Sequence, residues 1–282
     1  MTAVRSPRRM ARLAARLRRQ GTRVGVVPTM GALHEGHLSL IRAAVRQCDV
    51  VIVTIFVNPL QFGPAEDFAR YPRPLARDLR ACRRAGAHVV FAPSVKALYP
   101  ERFQTRIDPG PLARRWEGNS RPGHFSGVAT VVAKLFGLAQ PTDAYFGQKD
   151  YQQTLIVRRL IEDLDIPVRI HVLPTVREPD GLAMSSRNHD LSADARRQAR
   201  VLSGALRAAR ARIRAGARVS GPVVAEMRRL IGAQPAARID YAVVVDAKTL
   251  LPLARLRGRV AILLAVRVGR TRLIDNLLVD VP

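Results

Sequence analysis

Aromatic side chains are scarce in this chain, with eight Phe, five Tyr and one Trp among 282 residues. A surface that stacks successive nucleic-acid bases needs more aromatic area than that. Lysine is scarcer still, occurring only as Lys96, Lys134, Lys149 and Lys248, so the 47 basic residues are nearly all arginine. Against 22 acidic residues they leave a formal charge of +25. Such a surplus reads as a nucleic-acid footprint, as attraction of anionic substrates, or as a compositional bias. The arginines are interleaved with alanine across most helical stretches, which favours bias, and no specific nucleic-acid partner is expected. Cys48 and Cys82 have no metal or redox spacing and read as small buried apolar residues in a reducing compartment. No apolar run reaches the length of a membrane span, and residues 5–19 are densely basic where a signal peptide would be apolar. No membrane partner and a cytoplasmic location are therefore expected.

What is present is a chain long enough for two domains, 48% hydrophobic. Residues 10, 13, 14 and 17 recur at helical spacing. The runs 24–27 and 50–57 are almost continuously apolar, as in strands buried on both faces of a parallel sheet. A helix is expected over 74–85, with Pro74 in its first turn and Gly86 as its stop. Short strands are expected at 88–91, 102–107, 143–146 and 168–173. Between them lie a helix to residue 139 that Ser126 can cap and another that Asp150 can cap. Strand and helix alternate to residue 175, which predicts an α/β fold with a doubly wound, Rossmann-like parallel sheet over residues 1–175. A long helix over 192–215, a second over 222–231 and three β-rich segments then predict a smaller C-terminal α+β domain over 176–282.

The stretch from Pro28 to His37 runs strand, glycine-bearing turn, helix. A helix N-terminus placed so attracts anions, because its first N–H groups lack partners and the helix dipole is positive there. With the helix starting near Leu33, His34 and His37 project from one face, and Gly36 between them leaves room for a flat ring. An ordinary solvated or core histidine pair is the plainer reading. A zinc site is the weaker reading, because zincin helices space their histidines four apart and no third ligand lies nearby. In a doubly wound sheet, ligands sit at the carboxyl ends of the strands. His34, Asn58, Gln61, Gly147 and Lys149 all follow predicted strands, so one sheet edge should collect them. In Gly147-Gln148-Lys149-Asp150 the glycine permits a sharp turn and one of four lysines stands at a strand-to-helix junction. Met184-Ser185-Ser186-Arg187-Asn188 reads either as a polar linker or as two hydroxyls and a guanidinium suited to phosphate.

Taken together, the His-x-Gly-His turn and the distant Met-Ser loop resemble the nucleotidyltransferase superfamily that includes class I aminoacyl-tRNA synthetases. The chain is similar, more closely, to the pantothenate synthetase (pantoate–β-alanine ligase) family. The segments that carry this likeness are 27–38, 56–62 (Phe-Val-Asn-Pro-Leu-Gln-Phe), 70–73, 121–125 (Arg-Pro-Gly-His-Phe), 146–153 and 177–188. The resemblance implies condensation of (R)-pantoate with β-alanine through pantoyl adenylate, with ATP as a substrate, Mg²⁺ as its companion ion, and a homodimer. It implies an ATP site at Met30, Gly31, Ala32, Leu33, His34, Glu35, Gly36 and His37, with both histidines on the phosphates and His37 as proton donor. Gly147, Gln148, Lys149 and Asp150 would hold ribose and phosphates, with Lys149 on the developing charge. Val176 would touch adenine, while Met184, Ser185, Ser186 and Arg187 would close over the triphosphate. Gln61 and Gln153 match pantoate-binding glutamines, and Gln61 also β-alanine. Asp78 resembles an acidic position near Mg²⁺, although a helix-surface Asp between arginines is the plainer reading. Arg121 and His124 fit turn stabilisation as well as catalysis. Gln148 stands where the family often has glutamate, and Trp116 where it has an aliphatic residue. The rival readings are another adenylyl or cytidylyl transferase of this fold and an RNA-binding protein.

Overall fold

The computed structural model of the chain describes residues 1–64, 66 and 68–282. These form two compact units. The first comprises Met1–Arg114, Arg121–Gln148 and Gln153–Pro174, and the second Arg115–Ser120, Lys149–Gln152 and Thr175–Pro282.

In chain order the elements begin β1 (Thr2–Val4), α1 (Pro7–Arg19), β2 (Val24–Thr29), α2 (Glu35–Val45), β3 (Val50–Ile55), α3 (Leu75–Arg84), β4 (Val89–Phe91) and α4 (Val95–Leu98). After the short α5 (Glu117–Ser120) come α6 (His124–Ala139), β5 (Asp143–Gly147), α7 (Tyr151–Asp163) and β6 (Arg169–Leu173). The six strands make one parallel sheet in the order β1-β4-β3-β2-β5-β6. From β2 the chain winds outward first through β3 and β4, then through β5 and β6 on the other side. The order thus reverses beside β2, and every strand's carboxyl end lies on one edge.

Both faces of the sheet are covered. Val26 and Ile52 pack with Met10, Val128, Phe136 and Ile156 on one face. Val27, Val51 and Val53 pack with Ile41, Ala44 and both cysteines on the other. Successive strand residues therefore serve opposite cores, which is why these strands read as unbroken apolar runs. Pro28 lies inside β2, yet the β5 pairing involves only Gly25 and Val26, so its missing N–H costs no ladder bond there.

In the second unit, α8 (Ala193–Ala199), α9 (Val201–Arg214) and α10 (Ser220–Gly232) precede an antiparallel sheet of β7 (Ala237–Asp246), β8 (Arg259–Val268) and β9 (Thr271–Asp280). Leu202, Leu206, Ile213, Met227 and Ile231 from the helices pack on Val244, Ile262 and Leu264 of the sheet.

Several local expectations are corrected. Residues 102–107 form no strand; instead Ile107 is tied to α6, its N–H donating to Thr130 Oγ1 at 3.0 Å and its carbonyl accepting from Ser126 Oγ at 2.8 Å. Ser126 consequently lies inside α6 rather than capping it, and Gly123, at φ 80°, is the cap residue. The helix expected over 192–215 is divided at Arg200 into α8 and α9. β1 was not expected, because three residues are too few for a period. Among the described residues no helix is long and apolar enough to cross a membrane.

Candidate active site

The loop after β2 is built around a sharp backbone reversal. Gly31 and Ala32 both have positive φ, 81° and 49°. This turns the N–H groups of Ala32 and Leu33 toward α3, where Asp78 Oδ2 and Oδ1 accept them at 2.9 Å each. Asp78 is only 1% exposed. Burial pushes its carboxyl above the usual range, while the two N–H bonds pull it back. A Cβ on Gly31 would stand 2.9 Å from Asp78 Oδ2, so glycine serves both the dihedral and the close approach.

Helix α2 starts at Glu35, two residues later than expected, with His34 in extended conformation at its N-cap. The two imidazoles meet across the first turn, ring centroids 4.1 Å apart. His37 Nδ1 accepts the His34 main-chain N–H at 3.4 Å, which puts the neutral ring's proton on Nε2. The space over Gly36 is used by the chain itself. A Cβ there would lie 3.0 Å from His34 Cε1 and Nδ1, so the glycine admits the His34 ring.

After β3, the Pro59–Gln61 turn is assembled from buried polar groups. Asn58, 1% exposed, donates from Nδ2 to Gln61 Oε1 and to the Gly127 carbonyl, both at 3.0 Å. Its Oδ1 accepts from Tyr99 Oη at 2.9 Å and from the Leu60 N–H at 3.3 Å. Gln61 Nε2 approaches Met30 Sδ at 3.2 Å, bringing two predicted site residues together. Its main-chain carbonyl accepts from His124 Nδ1 at 2.8 Å and Arg121 Nη2 at 3.2 Å. Arg121 also holds Glu66 with Nε at 2.8 Å and Nη2 at 2.5 Å. At the end of β5, Gly147 has no positive φ, and a Cβ added to it would meet nothing within 4 Å, so the sharp-turn explanation for it fails. Gln153 is half-buried on α7.

The second unit holds the other predicted residues. Lys149 has its carbonyl fixed by Asn276 Nδ2 at 2.8 Å, and its ammonium lies 3.3 Å from Asp150 Oδ1. Next to Asn276, Asp275 takes a bidentate grip from Arg177 at 2.6 and 2.9 Å. Arg177 stands at the root of the loop that carries the Met-Ser motif. There the Met184 N–H donates to the Val176 carbonyl at 3.0 Å, so those two predicted ATP-site residues are neighbours. Ser185 Oγ caps the short turn Ser186–Asp190 by accepting from the Arg187 N–H at 3.3 Å. Asn188, buried, ties the turn back to the Ala183 carbonyl at 3.0 Å and to Glu178.

Within the first unit the structure thus pairs Met30 with Gln61 and His34 with His37, and within the second it pairs Val176 with Met184. Sequence reading missed Asn58 as the residue that holds Gln61, and missed the loop-bearing task of Asp78. An Asn-Pro pair closing an apolar strand was the available signal for the first; nothing local pointed to the second. Among the described residues no three His, Cys, Asp or Glu side chains gather to hold a metal ion. Each oxygen of Asp78 accepts one N–H group, and with no three such side chains gathered among the described residues the protein does not by itself cage magnesium.

The sequence profile described as pantoate-beta-alanine ligase matches residues 2–278. The pantothenate synthetase of Moorella thermoacetica is 54% identical over 267 residues, 95% of this chain and 94% of that relative. The crystal structure of pantothenate synthetase from Thermus thermophilus superposes with a TM-score of 0.93 at 49% identity, covering 98% of this chain and 99% of that one. A pantoate-beta-alanine ligase from Francisella tularensis, crystallised with beta-gamma ATP and beta-alanine, gives 0.83 at 37% identity over 99% and 97% of the two chains. The chain belongs to the pantoate–β-alanine ligase family.

Proposed function

We propose that the chain joins (R)-pantoate to β-alanine at the expense of ATP. A pantoate carboxylate oxygen attacks the α-phosphorus and pyrophosphate leaves, giving pantoyl adenylate. The β-alanine amine then attacks the acyl carbon, loses a proton, and AMP departs with the bridging oxygen. Adenylyl transfer leaves little covalent work for the protein, which mainly positions the reactants and offsets charge on the phosphoryl oxygens.

The observation that carries this reading is the loop after β2, held by Asp78 at the point where the strand order reverses. Its helix N-terminus and the His37 Nε2–H suit the phosphates as donors. Met30 to His37, Gly147, Gln148, Lys149, Asp150, Val176 and Met184 to Arg187 would bind ATP, Lys149 taking the developing charge. Gln61 and Gln153 would bind pantoate, and Gln61 β-alanine, an amide being able to donate and accept without adding charge. The relative crystallised with beta-gamma ATP and beta-alanine supports these two substrates. Magnesium would arrive on the phosphates, and we assign no residue of this chain to it; Asp78 is read as the loop's anchor. A cytoplasmic homodimer is the accompanying expectation.

Pyrophosphate release, measured with ATP and a panel of small acids, tests the assignment. Release that requires pantoate is expected; equal release with unrelated acids, or none with pantoate, contradicts it.

A further inference from the structure

Two side chains of the Arg121-Pro122-Gly123-His124-Phe125 segment, those of Arg121 and His124, converge on one atom, the main-chain carbonyl oxygen of Gln61. A carbonyl only accepts, so His124 Nδ1, 2.8 Å away, donates to it. The other ring nitrogen, Nε2, lies 3.2 Å from Arg121 Nη1. A guanidinium only donates, so Nε2 accepts, and the ring carries a single proton on Nδ1. Glu66, on two guanidinium nitrogens, fixes the plane that Arg121 presents.

The turn needs this external hold. Its own closing bond, Gln61 N–H to the Asn58 carbonyl, is long at 3.4 Å. The N-terminal turn of α6 presses against it so closely that a Cβ on Gly127 would stand 2.2 Å from the Leu60 oxygen. His124 itself is 8% exposed. Fixing the Gln61 main chain fixes where its side-chain amide leaves the backbone, before Asn58 trims the direction.

We propose that His124 is a positioning residue for substrate recognition: the neutral Nδ1–H tautomer, enforced by the Glu66–Arg121 pair, aims the Gln61 amide at the hydroxy acid and the amino acid it receives. The proposal rests on the reading of Gln61 as a substrate-binding residue.

Three His124 variants separate positioning from mere filling of space. Asparagine places its amide nitrogen where Nδ1 stands and retains the donor. Glutamine reaches the Nε2 position and does not. Steady-state KM for pantoate, β-alanine and ATP is measured for His124→Ala, His124→Gln, His124→Asn and Gln61→Ala, with thermal melting of each. His124→Ala and His124→Gln should raise the pantoate KM about fivefold to tenfold, the worth of one net hydrogen bond, with ATP KM unchanged. His124→Asn should recover most of that loss. Equal losses in Asn and Gln variants, or losses that follow melting temperature alone, overturn the proposal; the Asn–Gln comparison decides even if the alanine variant does not fold. Should Gln61→Ala raise the pantoate KM while no His124 variant does, positioning by His124 fails and the Gln61 reading stands. Should Gln61→Ala leave it unmoved, both fall together.

Discussion

Asp78 accepts the main-chain N–H groups of Ala32 and Leu33, one on each carboxylate oxygen, at 2.9 Å. The carboxylate crosses 45 residues of sequence to do so. It turns a left-handed Gly31–Ala32 reversal into a rigid shelf immediately before the two histidines. Asp78→Asn replaces one acceptor by an amide that faces an N–H group. The variant should lose about 1–3 kcal/mol of stability, as for a buried donor left unsatisfied, and its ATP KM should rise more than its pantoate KM. Chemical denaturation with steady-state kinetics checks both; equal changes in the two KM values would mean that the shelf does not serve the nucleotide.

The Gly36 position tests the histidine pair from the other side. Gly36→Ala puts a Cβ 3.0 Å from the His34 ring, so the ring has to shift, although helix propensity alone favours alanine. Melting temperature should stay the same or rise while adenylate formation falls about tenfold or more. Unchanged adenylate formation would show that the ring's placement is immaterial.

Lys149 is held by its carbonyl, through Asn276, so its side chain can be removed without loosening the backbone. Lys149→Ala should cut adenylate formation by about 10²–10³ with a melting temperature close to the parent's. Near-parental turnover would remove its ammonium from the chemistry.

Away from the site, at the amino end of β5, Asp143 is gripped by Arg23 at 2.8 and 2.9 Å and by His171 at 2.7 Å. The hydrogen bonds from Arg23, then those from His171 and Thr142, hold its carboxyl well below the usual carboxylate range despite burial. A lowered folded-state pKa contributes stability that is present above the unfolded value of 3.8 and is lost as pH falls below it. Asp143→Asn should therefore cost about 1–3 kcal/mol at neutral pH, and the gap to the parent should narrow as the pH drops below that value. Denaturant titrations at pH 7 and pH 3 measure it; a gap that widens in acid contradicts the sign.

The parallel sheet was legible because burial on both faces leaves unbroken apolar runs such as residues 50–55, and the His-x-Gly-His turn because glycine and histidine are informative at a strand end. The rest failed for identifiable reasons. β1 has three residues, and an edge strand that short has no pattern to read. Residues 102–107 have strand composition, but the Ile107 main chain bonds to Ser126 and Thr130, and the Phe103 N–H to the Pro100 carbonyl, rather than to a neighbouring strand. Asp78 read as a helix-surface acid because its partners are main-chain N–H groups far along the chain, which no side-chain spacing announces. Gly36 was legible as a place where space is needed, while what fills that space, the His34 ring, depends on an N-cap two residues from where periodicity put it.

In the proposed reaction an acyl adenylate links the two half-reactions. Pantoate carrying heavy oxygen in its carboxylate, turned over with ATP and β-alanine, tests it in one mass spectrum of the products. One labelled oxygen is expected in the phosphate of AMP and one in the amide carbonyl of the product; unlabelled AMP would contradict the adenylate.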